Sequence, residues 1–142
     1  MQQHADNREL EAQLQALTNR WQEYPEHFVI EALGVTPTKQ QIGAMSQIGQ
    51  MVRAKMKYLH KQPLTPSEDE LVKKLGISIM SGKGTGKDAF ASWMTLWFHC
   101  MFKNSKVIVT GPSRDQLRDV FMAETSKWAN RTDEKGEYFF LL

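Results

Sequence analysis

Ser81-Gly82-Lys83-Gly84-Thr85-Gly86-Lys87-Asp88 packs three glycines and two lysines into eight residues, directly after a short apolar run and directly before a long apolar helical pattern. Glycines adopt backbone angles that side chains forbid, so this stretch can curl until successive N–H groups point inward. A helix opening at Gly86-Lys87 adds its positive end, and Lys87 adds a compact cation. A loop of this kind suits phosphate oxygens when a strand precedes it and a helix follows. The flanks meet that condition on paper. Ile77-Ser78-Ile79-Met80 reads as a buried parallel strand. Lys87 to Phe102 reads as a helix with Phe90, Trp93, Trp97 and Met101 on one face, thickened by Met94 and Phe98. Such a helix must be covered on more than one side.

Two positions depart from the pattern G-x-x-x-x-G-K-[ST]. Ser81 stands where the first glycine is usual, a mild change if its backbone angles are ordinary. Asp88 stands where a Ser or Thr hydroxyl would ligate Mg²⁺. A carboxylate can also ligate Mg²⁺, but it sets a negative charge beside the phosphates. The plainer alternatives are a glycine-rich turn that binds nothing, and an Asp88 that merely favours the helix dipole.

Around the loop, helices and strands alternate. Leu10, Leu14, Leu17 and Trp21 recur at helical spacing, and Pro25 ends that helix or opens the next. His27 to Leu33 is one or two helical turns closed by Gly34. Thr38 is the expected N-cap of a helix whose stripe, Ile42, Met45, Ile48, Met51, Val52, Met56 and Leu59, runs as far as His60. Pro63 and Pro66 mark a surface loop. Ser67 is the expected cap of a short helix from Glu68 to Leu75, with Glu70 in the capping-box position, and Gly76 stops it. Val107-Ile108-Val109 centres a second strand over Lys106 to Thr110, ended by Gly111-Pro112, and Ser113 caps a helix from Arg114 to Asn130. The expected fold class is therefore α/β: a P-loop NTPase-like parallel sheet flanked by helices with right-handed crossovers, preceded by a helical N-terminal segment. Residues 1–62 form that helical segment and residues 63–142 the first part of the ATPase core. The apolar run Tyr138 to Leu142 reads as a strand cut short, hence an incomplete domain.

Three segments taken in order, Leu33-Gly34…Pro37…Gln41, then Ser81 to Lys87, then Thr110-Gly111-Pro112-Ser113…Gln116-Leu117, resemble the N-terminal ATPase domain of bacteriophage terminase large subunits. The likeness spans roughly Tyr24 to Trp128. It implies that Gln41 occupies the place of an adenine-contacting glutamine and that Ser81, Gly82, Lys83, Gly84, Thr85, Gly86, Lys87 and Asp88 form a Walker A loop for ATP, with Asp88 at Mg²⁺. It implies DNA packaging by a motor ATPase, with double-stranded DNA, the portal and the small terminase subunit as partners, homo-oligomers in the parent machine and residence in the bacterial host cytoplasm. Two features depart from the family. Gln40 stands where an aromatic usually precedes the glutamine. The acidic pairs Asp69-Glu70 and Asp133-Glu134 lie in polar surroundings unsuited to a Walker B strand, so the chain is expected to stop before Walker B, to lack complete hydrolytic machinery and to leave the catalytic residues unassigned. A helicase-like ATPase, or a non-catalytic interaction protein that keeps the loop, are the alternatives.

Composition sets broad limits. With 142 residues the chain suffices for one domain with a real core. A net charge of +2 does not by itself call for nucleic acid. Cys100 stands alone, which rules out an internal disulfide and fits a reducing compartment. The polar start lacks a signal peptide, and no apolar run reaches the roughly 20 residues of a membrane span. His4, His27, His60 and His99 show no ligand spacing.

Overall fold

The computed structural model describes residues 2–84 and 86–130, and its regular structure is helical throughout. Six helical elements follow one another: α1 (Gln2–Glu23), α2 (Pro25–His27 continuing as the π-helix Phe28–Ala32), α3 (Lys39–Leu59), α4 (Pro66–Lys73), α5 (Lys87–Met101), and α6 (Arg114–Gln116, the π-helix Leu117–Met122, and Ala123–Ala129).

The core forms where α5 meets α2, α3 and α6. Trp93, Leu96 and Trp97 of α5 are buried against Phe28, Val29, Ala32 and Leu33, with Met45 of α3 and Ala129 of α6 closing the cluster. Each such side chain contributes about 1.5–3 kcal/mol when fully buried. Phe90, Met94, Phe98 and Met101 pack at its margin, so the wide apolar face of α5 is covered from several sides. On the α6 side, Thr125 Oγ1 donates to the fully buried Ser92 Oγ at 3.0 Å, and Trp93 meets Trp128 edge-to-face at 5.6 Å.

α1 joins this core only at its C-terminal end. Residues 6–20 are exposed, Leu10, Leu14 and Leu17 among them, whereas Trp21 packs edge-to-face on Phe28. Trp97 Nε1 donates to the Trp21 carbonyl at 2.6 Å and Trp21 Nε1 to Glu31 Oε2 at 2.7 Å. Arg53 satisfies the Glu23 carbonyl at 2.6 Å and lies over the Tyr24 ring, so α3 serves the orphan end of α1. Gly49 permits this approach: a Cβ there would sit 2.9 Å from Pro25 Cδ.

The helix boundaries follow local chemistry. Gly34, at φ 62°, lets Val35 N–H reach back to the Val29 carbonyl and closes α2. Thr38 caps α3 as expected, and Gln41, expected only at adenine, completes a full capping box with it. At α4 the cap differs from expectation. Thr65, not Ser67, accepts from the backbone N–H three residues on, and Glu68 rather than Glu70 completes the box. Pro66 then falls at the first helical position, where its missing N–H costs nothing. Glu68 also pairs with Lys57 at 2.7 Å, tying α4 to α3; Lys57 and then the Thr65 N–H hold its carboxyl below the usual carboxylate range. α4 ends at Lys73, before the expected Leu75.

The expected α/β architecture does not stand. Among the described residues there is no β-strand and hence no parallel sheet. Ile77 to Met80 and Lys106 to Thr110 run without ladder partners, and Met80 and Ile108 are 95% and 87% exposed. The physical reason is that β-branched composition only suits a residue to a pleated surface; the strand itself exists when a neighbour across the ladder takes its N–H and C=O groups. Neither segment finds one. Thr85, the Asp133-Glu134 pair and the Tyr138 to Leu142 run lie outside the described residues. Among the described residues no helix is long and apolar enough to cross a membrane.

Candidate phosphate-binding site

The glycine loop bends as its sequence requires, though not between a strand and a helix. Gly84 and Gly86 take φ 77° and 79°, left-handed angles that a side chain would strain. Gly86 is the N-cap of α5 and brings no side-chain acceptor to it. The first-turn N–H groups of this helix therefore keep no side-chain cap, and the positive end of the dipole points into the loop. Lys87 folds back across the turn and donates from Nζ to the Ser81 carbonyl at 3.0 Å, so the loop closes on its own lysine.

Gln41 reaches the loop from the first turn of α3. Its Oε1 accepts from Thr38 N–H at 2.9 Å, and its Nε2 donates to the Gly86 carbonyl at 3.5 Å. The approach is close enough that a Cβ on Gly86 would lie 2.9 Å from that Nε2. Two segments forty-five residues apart thus meet at one point.

Between them lies a cavity of about 730 Å³. Thr38, Gln40, Gln41 and Ala44 of the α3 start form one wall, Phe90 and Ala91 of α5 another, and Ile77, Ile79 and Met80 a third, with Ser81, Gly82, Gly86 and Lys87 at the loop end. Lys87 is the one charged side chain on those walls among the described residues. An apolar chamber with a single cation and a helix N-terminus at one end favours an elongated ligand, anionic at one end and flat or apolar at the other.

Of the residues singled out in sequence, Ser81, Gly82, Gly86, Lys87 and Gln41 come together here. Lys83, Gly84 and Asp88 are exposed in or beside the loop but do not line the cavity. Thr38 and Phe90 were assigned only structural work by the sequence, as cap and core face, and both prove to be wall residues. Helical spacing held a clue to Phe90, which sits three residues after Lys87 on α5. Ile77, Ile79 and Met80, read as a buried strand, instead form an open wall.

Asp88 lies in the first turn of α5, where an acid favours the dipole. Among the described residues no group of three or more His, Cys, Asp or Glu could hold a metal ion. A Mg²⁺ ion fits here only as a guest shared with a phosphate: Asp88 would offer one carboxylate, and phosphate oxygens and waters the remaining ligands. Cys100 is half-buried, and desolvation pushes its thiol up, away from the reactive thiolate. His99 is exposed on α5.

No family model, no curated protein and no solved structure matches the chain.

Proposed function

We propose that this chain binds a nucleoside triphosphate, ATP in the setting that its sequence resembles, with the phosphates on the Ser81 to Lys87 loop and the base and sugar along the apolar walls. The observation that carries the reading is the convergence of Lys87, the uncapped start of α5 and Gln41 on one cavity whose walls hold no other charge among the described residues. Its volume is in the range of cofactor sites. Mg²⁺ would enter with the phosphates, held by Asp88.

The wider role is that of a nucleotide-binding part of a DNA-packaging motor of the terminase type, working in a host cytoplasm on double-stranded DNA with a portal, a small terminase subunit and further copies of the motor. The ordered likeness of the Pro37…Gln41, Ser81 to Lys87 and Thr110 to Leu117 segments supports it. The second reading is a binder that does not turn nucleotide over, and Asp88 in place of the Ser or Thr hydroxyl that would ligate Mg²⁺ supports it.

Amide chemical shifts test the site. Added Mg²⁺–ATP is expected to move the N–H signals of Gly82, Gly84 and Gly86 together with the Gln41 side-chain amide, while Gly34, at the far end of α2, stays still. Shifts scattered over the surface, or none at millimolar nucleotide, would overturn the assignment.

A further inference from the structure

Gln41 has two tasks in this structure, and neither is the reading of a base. Its Oε1 accepts the Thr38 N–H and completes the capping box of α3, while its Nε2 spans to the Gly86 carbonyl at the start of α5. A carboxamide that recognises a base edge pairs through its oxygen and nitrogen together. Here the amide plane is stretched between two backbone groups on two helices, and turning it to face a base undoes the cap and releases the loop. On the same wall Gln40 offers a carboxamide to a base edge, while Ile77, Ile79 and Phe90 offer apolar contact to its face.

We infer that Gln41 is a positioning residue that holds the glycine loop against α3. The inference rests on the triphosphate reading above and adds to it the residue that sets the loop. Affinity comes from the phosphates, on Lys87 and the α5 N-terminus, and Gln41 acts on that affinity only through the loop it positions.

The test is competition. A fluorescent ATP analogue bound to the full chain is displaced with ATP, GTP, CTP and inorganic triphosphate, for the parent, Gln41→Ala and Gln41→Glu. Glu serves as well as Gln at the third position of a capping box, so Gln41→Glu keeps α3 capped and unfolds within about 2 °C of the parent, yet it cannot donate to Gly86. Expected is a loss of about fivefold or more in each variant that is the same for inorganic triphosphate as for ATP, GTP and CTP. A residue that only capped α3 would leave hydrogen exchange at the Gly84 and Gly86 amides of nucleotide-free Gln41→Glu as in the parent, a readout that repulsion between the new carboxylate and phosphate does not enter. A residue that read the base would cost ATP its affinity and spare inorganic triphosphate. Either result overturns the inference. A parent that binds no triphosphate at all fails differently, by removing the site itself.

Discussion

Asp88 follows Lys87 directly, so the first turn of α5 carries a cation and an anion side by side. Against a bound triphosphate the two act in opposite senses. Lys87 attracts the phosphates, and Asp88 repels them unless a divalent cation lies between, in which case the ion bridges carboxylate and phosphate. Nucleotide binding is therefore expected to be unusually metal-dependent. Removing Mg²⁺ with EDTA should weaken ATP binding by the parent about tenfold more than it weakens binding by Asp88→Thr, whose hydroxyl carries no charge. Equal factors in the two proteins would mean that Asp88 points away from the phosphates and acts on the helix dipole alone. At this scale much was legible in sequence, because backbone need and charge are properties of single residues. The glycines that turn the loop and the lysine that closes it could be named beforehand, whereas only the family likeness points to Gln41, and for adenine rather than for the loop. Their partners could not be named: nothing in the sequence says that Lys87 bonds Ser81 or that Gln41 reaches Gly86, since the first depends on how the loop bends and the second on where the start of α3 lies.

Among the elements, the helices with a wide apolar face were readable and the extended segments were not. A helix satisfies its backbone internally, so the stripe of α5 was enough to predict it. Ile77 to Met80 and Lys106 to Thr110 have the composition of strands, but a strand is made by its neighbour. α4 shows how fine the local signal can be. Thr65 and Ser67 are both capping types two residues apart, each with an acid three positions on, and Pro66 decides between them because proline is at home at the first helical position. Thr65→Ala is expected to cost about 1 kcal/mol in urea unfolding, while Ser67→Ala is expected to stay within about 0.5 kcal/mol of the parent. The reverse order of the two would show that α4 starts at Ser67 after all.

In the whole molecule, the core and the cavity share one helix. α5 places Trp93, Leu96 and Trp97 in the core and Lys87, Phe90 and Ala91 on the cavity, so the site rests on a helix anchored in the core. This arrangement separates binding from folding: Lys87 is exposed and its removal leaves the core untouched. With Asp69-Glu70 and Asp133-Glu134 both in polar sequence unsuited to a Walker B strand, the chain by itself is expected to release no phosphate from ATP above background, with or without DNA. The central claim is that the loop holds triphosphate through Lys87, and equilibrium titration of a fluorescent ATP analogue into parent and Lys87→Ala tests it most directly. The predicted result is at least a tenfold loss of affinity, about 1.4 kcal/mol or more, in a variant that melts with the parent. Equal affinity in two equally folded proteins would contradict it.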